Sequence, residues 1–240
     1  MVIKQVKKYS KLFQPLRGTH DILPIEQKKH DKILQIGYKI TSKFNFKKTT
    51  TPILENEGIF KTTLGEESDV ISKEMYSFKK SKENICLRPE NTAGIVRSLI
   101  SNSLIYKLPQ KFSYDGPMFR YERPQKGRYR QFHQFGVEHF GSHNPLADFQ
   151  MIQMANEFLM ELKIKNFKLE INSLGDLDDR LIYKKNLLEF LKKFENELSD
   201  SSREKLNSKH VLRILDSKSE IDQEIISDAP KILDFISEKK

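Results

Sequence analysis

Apolar positions in residues 25–44 fall at Ile33, Leu34, Ile40 and Phe44 with Gly37 between them, a helical spacing that turns the lysine-rich positions outward. The pattern predicts an amphipathic helix there. Residues 47–54 read as a β segment interrupted by Pro52; proline cannot donate to a strand ladder, which sends this strand to an edge or an interface. A short strand over 85–88 precedes Glu90, and Asn91 and Thr92 are candidate caps for a helix carrying Ala93, Ile95, Val96, Leu99 and Ile100. Residues 111–122 and 132–140 are aromatic-rich strand candidates around an Arg/Lys/Gly/Pro loop, the signature of a hairpin with a long connection. Pro145 opens a helix through Leu162, and 166–171 reads as a further strand. Beyond Leu174 strand signals fade, and helical patterns over 181–198 and 221–236 alternate with polar stretches such as Ser199-Asp-Ser-Ser-Arg. This order lacks regular βαβ alternation, so the expected class is α+β: an antiparallel sheet flanked by helices in residues 1–174, then a small mostly helical domain in 175–240.

Composition narrows the class. The 240 residues, 37% hydrophobic and 31% charged with 10 Gly and 9 Pro, exclude collagen-like and low-complexity chains. The single cysteine, Cys86, excludes an intramolecular disulfide framework and a multi-cysteine zinc site, fits a reducing compartment, and reads as core in its apolar strand. No apolar run reaches the roughly 18 residues of a membrane span, so a cytoplasmic location with no membrane partner is expected. His139 and His143 lack the HExxH pattern, so no metal site is predicted, and parity places His133 and His139 on the face opposite Glu138 as structural residues.

Charge is unevenly placed. Of 42 basic and 33 acidic residues, 10 and 12 lie in 186–240, leaving 32 and 21 in 1–185. A basic region of this kind either attracts polyanions or is a solvated lysine-rich face. Lys4, Lys7, Lys8, Lys11 and Arg17 precede the first acid and read as a basic arm leading into the fold.

The hairpin carries the chemistry. Strand parity puts Met118, Arg120 and Glu122 on one face of the first strand and Phe132, Gln134, Gly136 and Glu138 on one face of the second. Charges inside a sheet are costly unless they pair or meet a ligand, which leaves two readings: mutual pairing of Arg120 with Glu122 or Glu138, or a ligand pocket. The loop interleaves Arg123, Lys126, Arg128 and Arg130 with Tyr129 and Phe132, a set that suits phosphate and a stacked base. With no Walker loop or GxGxxG, phosphate would be held by side chains.

At this point the residues resemble a known family. Arg17-Gly-Thr-His-Asp-Ile-Leu-Pro, Lys73-Glu-Met-Tyr-Ser-Phe, Leu87-Arg-Pro-Glu-Asn-Thr-Ala-Gly, the sixteen residues from Phe119 to Gln134, and Leu215-Asp-Ser-Lys are similar to histidyl-tRNA synthetase, a class II aminoacyl-tRNA synthetase. The resemblance runs from about residue 14 to the end. It implies the class II catalytic core and ATP-dependent attachment of histidine to tRNA(His) through a histidyl-adenylate, with magnesium accompanying the ATP and no tightly bound cofactor. Arg120 resembles the motif 2 arginine on the α-phosphate and the histidine carboxylate, Arg128 the loop arginine on the γ-phosphate, Glu122 the adenine-side carboxylate, and Phe132 the ring stacked on adenine. Glu90, Asn91, Thr92, Gln134 and Glu138 match histidine-binding positions, Gln125 and Lys126 the loop near the tRNA acceptor end, and Pro52 the motif 1 proline at a homodimer interface. Two departures, Asn91 where the family more often has glycine and Phe149-Gln150 after Asp148, are expected to tune fit.

Lys240 falls inside what resembles the family's inserted helical domain, before the histidine signature, the motif 3 arginine and the anticodon-binding domain. The expectation is an amino-terminal part of a synthetase (an excised piece, a truncated gene product or half of a split enzyme) that alone makes little or no histidyl-adenylate and that a missing C-terminal half would complete. The alternatives are a non-catalytic regulatory paralogue like the synthetase-like subunit of ATP phosphoribosyltransferase, and an RNA-binding fragment. The intact loop over 123–131 favours the ligase.

Overall fold

The computed structural model describes residues 13–65, 68–207 and 210–237. The lysines at positions 4, 7, 8 and 11 of the expected basic arm lie outside them. The backbone divides into two compact units, residues 1–166 and 167–240, against an expected division after residue 174.

In the first unit, helix α1 (Pro24–Lys43) starts with proline in its first turn, where the missing N–H costs nothing. Its buried stripe is Ile36, Gly37, Ile40 and Thr41. Ile33, expected inside, is 38% exposed, because the helix seats itself on Gly37: a Cβ there would come within 2.7 Å of the Phe135 ring. Strand β1 (Lys47–Lys48) runs parallel to β5 (Gln110–Phe119), and β5 pairs antiparallel with β6 (Gln131–Phe140) over ten residues. The segment expected as one strand over 47–54 divides at Pro52, and β2 (Leu54–Asn56) enters a second sheet of order β2-β4-β3, with β3 at Ser77–Lys80 and β4 at Glu83–Leu87. Helix α2 (Glu57–Leu64), a π-helical turn (Val70–Glu74) and β3 had no clear sequence signal.

Helix α3 (Thr92–Ser101) covers one face of the β5–β6 hairpin, where Ile95 and Leu99 pack on Phe112, Tyr114 and Met118. On the other face α1 and α4 (Pro145–Glu161) enclose Ile36, Ile40, Phe46 and Met154, with Val137 and Phe158 beside them. The hairpin is therefore the middle layer between helices, as the α+β expectation requires. No helix among the described residues is long and apolar enough to cross a membrane.

The second unit contains α5 (Leu177–Lys192), α6 (Asp200–Leu206) and α7 (Glu220–Ser227), with 3-10 turns at Val211–Ile214 and Ile232–Phe235. Tyr183, Leu187 and Leu191, spaced four apart on α5, form its core with Leu198, Val211 and Ile214. The stretch beginning at Ser199, expected as a break, instead starts α6: the Ser199 side chain caps it by accepting from the Ser202 amide. The strand expected over 166–171 is absent; Phe167, Leu169 and Ile171 alternate as predicted but stay exposed and find no ladder partner among the described residues.

Asp222 is fully buried and accepts from the Ser199 amide and from the hydroxyls of Ser199, Ser202 and Ser217. Burial alone would push its carboxyl up, but these bonds outweigh it and hold the group at about 2, below its ordinary 3.8. The ionised form thus supports the folded unit above pH 3.8 and that support disappears as pH falls through about 2. Asp222→Ala is expected to cost about 2 kcal/mol at pH 7, from lost bonds to a buried charge, and to flatten the acid limb of stability. Urea unfolding at pH 7 and pH 3 checks both, and parental behaviour in the variant contradicts the assignment.

Candidate active site

Opposed residues in an antiparallel ladder share a face. The register opposes Phe112 to Glu138, Tyr114 to Gly136, Gly116 to Gln134 and Met118 to Phe132. Arg120 lies one step beyond β5, and its amide donates to the Arg130 carbonyl (3.0 Å), extending the pairing. The first strand was expected to reach Glu122; it ends at Phe119 because the Glu122 amide turns back onto the Arg120 carbonyl (2.8 Å). That turn still brings Glu122 beside Arg120.

At one end of this face stand two carboxylates. Glu90 accepts from the amides of Thr92 (2.6 Å) and Ala93 (3.0 Å), capping α3 at its positive end. Asn91 and Thr92, the expected caps, do not fill that role: Asn91 is in the N-cap position with no side-chain cap bond. Glu138 accepts from Thr92 Oγ1 (2.7 Å) and from the Tyr114 hydroxyl (3.3 Å). Burial raises the pKa of Glu138; the bonds from Thr92 and Tyr114 oppose that shift, and the nearby Glu90 charge adds to it. The Gln134 side chain, on the same face, has no hydrogen-bond partner among the described residues.

At the other end Arg120 Nε donates to the Pro89 carbonyl (2.9 Å), its guanidinium sits 5.3 Å from the Phe132 ring centroid, and Nη1 is 4.0 Å from Glu122 Oε1. Arg128 Nη1 is 3.6 Å from Glu122 Oε2, a buried oxygen that accepts no hydrogen bond. Of the two pairings expected for Arg120, the structure forms the Glu122 one, at the limit of ion-pair distance, and not the Glu138 one. The loop tip is a turn from Gln125 to Arg128 (Arg128 amide to Gln125 carbonyl, 2.9 Å) with exposed Lys126 and with Gly127 at φ +81, the conformation that position of a turn reserves for glycine.

Beneath the face lies a buried support. Arg88, 3% exposed, donates through Nε to the Pro117 carbonyl (3.0 Å) and through Nη1 to the Thr51 carbonyl (3.1 Å), Thr51 Oγ1 (3.1 Å) and Asn91 Oδ1 (3.3 Å). Asn91, which the resemblance matches to a histidine-binding position, is 1% exposed; its Oδ1 receives Thr51 Oγ1 (2.5 Å) and Arg88, and its buried Nδ2 has no hydrogen-bond partner among the described residues. Arg88, Thr51, Tyr114 and Gly116 were assigned no role by the sequence reading; the arginine directly before Pro89-Glu90 was the one available signal.

The segment before α1 braces the loop. The Arg130 amide donates to the Gly18 carbonyl (2.6 Å), the His20 and Tyr129 rings lie 4.5 Å apart, and the Arg130 guanidinium covers Tyr121 at 3.7 Å. His133 and His139 fall on the opposite face as expected, His133 against His30 and His139 against Phe46. Burial lowers the pKa of both. Cys86 is fully buried, with burial first and then the Glu57 and Glu55 charges pushing its thiol up to about 12. Pro52 is exposed.

The family model described as "Histidyl-tRNA synthetase" matches residues 18–223. The chain is 48% identical over 231 residues to the chloroplastic histidine–tRNA ligase of Gracilaria tenuistipitata var. liui, covering 96% of this chain and 55% of that protein. Among solved structures it is similar to the apo histidyl-tRNA synthetase of S. aureus, with a TM-score of 0.70 and 33% identity over 95% of this chain and 51% of that one. A Bacillus halodurans C protein titled an ATP phosphoribosyltransferase regulatory subunit/histidyl-tRNA synthetase shares the fold, with a TM-score of 0.61 at 20% identity over 93% of this chain and 64% of that one. The chain spans about half the length of the curated relatives it matches.

Gly116, at φ +153, leaves the space that Arg88 Nη2 fills; a Cβ would overlap it, and the anchored guanidinium cannot swing away. Gly116→Ala is expected to destabilise the chain by about 2–4 kcal/mol through strain and loss of this buried network. Denaturant unfolding measures it, and a loss under about 0.5 kcal/mol, the range of an ordinary surface change, would contradict the packing.

Proposed function

The chain belongs to the histidyl-tRNA synthetase family, and we propose that its hairpin face is the site where histidine is activated by ATP before transfer to tRNA(His). The observation that carries this reading is the separation of charge on one face: carboxylates Glu90 and Glu138 at one end, guanidiniums Arg120 and Arg128 at the other. An amino acid is a dipole, and this face has the complementary one.

In the proposed arrangement the ammonium and imidazole N–H groups of histidine donate to Glu90, Thr92, Gln134 and Glu138. A site built to accept such hydrogen bonds rejects amino acids that lack them. The histidine carboxylate lies toward Arg120 and attacks the α-phosphorus of ATP in line; pyrophosphate leaves and histidyl-adenylate forms. Charge builds on the phosphoryl oxygens, so the protein's contribution is positioning and cationic stabilisation by Arg120, with magnesium arriving on the ATP as part of that substrate. Phe132 stacks on adenine, Arg128 holds the γ-phosphate, and the unbonded Glu122 Oε2 accepts from the adenine amino group. Gln125 and Lys126 at the loop tip meet the tRNA acceptor end, and exposed Pro52 lies at an interface between two copies of the chain. Asn91 supports the floor without touching the substrate.

Because the curated relatives extend well beyond the matched region, the test is histidine-dependent exchange of pyrophosphate into ATP, by the chain alone and mixed with the C-terminal half of a curated relative. Exchange on complementation is expected. In the active mixture Arg120→Ala should lower the rate about 100-fold or more, the usual cost of losing one preorganised charge-stabilising group; a change under about threefold removes Arg120 from that role. Glu138→Ala should weaken histidine affinity while leaving ATP affinity unchanged. Folded protein that binds histidine yet fails in every mixture would favour a regulatory subunit.

A further inference from the structure

Glu138 is gripped by one oxygen only. Both Thr92 Oγ1 (2.7 Å) and the Tyr114 hydroxyl (3.3 Å) donate to Oε1, and Oε2 has no donor among the described residues. The residue directly opposite Glu138 is Phe112, so the Tyr114 contact runs diagonally across the ladder. It is reachable because Tyr114 faces Gly136, where a Cβ would overlap the phenol ring; the ring occupies the space a side chain would take. Tyr114 is 5% exposed and wedged against the apolar cluster of Ile95 and Leu99, so it cannot follow a moving carboxylate.

We propose that Tyr114 is a positioning residue: together with Thr92 it pins Glu138 Oε1 and so presents Oε2 as the acceptor for a substrate N–H. This rests on the reading of the face as the histidine site. Without the phenol, a single hydroxyl on Thr92 holds the carboxylate, and rotation about its terminal torsion, broad and two-fold in such side chains, exchanges the two oxygens. The acceptor is then shared between orientations, and the substrate must order the group that should receive it.

The conservative Tyr114→Phe variant removes one oxygen and keeps the ring. Histidine affinity is expected to fall about three- to tenfold, as for one lost hydrogen bond of ordinary net strength, which suits a 3.3 Å contact, with ATP affinity unchanged. Carbon-13 NMR of the Glu138 carboxyl adds a readout that a purely structural residue would not move: the phenol's bond favours the ionised form, so Glu138 should titrate at higher pH in the variant and the acid limb of histidine binding should rise with it. Unchanged histidine affinity in the variant, with a parent that binds histidine, overturns the positioning role. A parent that binds no histidine overturns the reading of the site instead, and the Glu138 titration then decides the Tyr114 link: an unchanged value overturns it and a raised one supports it. Matching melting profiles for variant and parent exclude a folding defect.

Discussion

One buried guanidinium holds the architecture of the site together. Arg88 collects the carbonyls of Pro117 and Thr51 with the side-chain oxygens of Thr51 and Asn91, so the end of β5, the crossing between the two sheets and the turn into α3 share one donor. Its own backbone does the same: the Arg88 amide donates to Ile53 and its carbonyl accepts from Phe119. A charge with so little exposure is tolerated only when its hydrogen bonds are met, and removing a partner from such a network costs more than forming it contributes. Glu90 and the Pro89 carbonyl that receives Arg120 both follow Arg88 directly in the chain. Their placement is a consequence of where that cation is anchored.

On this foundation the hairpin face sorts its charges. Glu90 accepts from two amides at the start of α3; Glu138 is half-committed, drawn toward Thr92 and Tyr114 while burial and the Glu90 charge oppose its ionisation. Arg120 and Arg128 approach the Glu122 carboxylate at 4.0 and 3.6 Å, and Arg120 Nε is also fixed by the Pro89 carbonyl. Small residues make the geometry possible. Gly116 admits Arg88 and Gly136 admits Tyr114, so the two glycines on this face are each matched to a large neighbour.

Much of this was legible in the sequence, and the limits are physical. Alternation gave the hairpin, its loop and the shared face of Arg120, Gln134 and Glu138, because a period of two leaves no other arrangement. The resemblance matches Asn91 and Thr92 alike, and residue identity does not specify depth: Asn91 is buried, while Thr92 bonds Glu138. In the second sheet the short strand expected over 85–88 is β4, whereas β3, four residues long, is too short for a periodic signal. Residues 166–171 show the opposite failure: the alternation is present, but a strand also needs a partner, and none of the described residues supplies one. Diagonal contacts such as Tyr114 to Glu138 depend on what is missing opposite them, which a list of side chains does not display.

The central claim is that this face receives histidine with its N–H groups on the carboxylates. A crystal structure of the chain soaked with histidine tests it most directly. The account predicts density beside the hairpin with an imidazole or ammonium nitrogen within about 3 Å of Glu138 Oε2 and the carboxylate toward Arg120; histidine ordered elsewhere, or an empty face at saturating concentration, would contradict it.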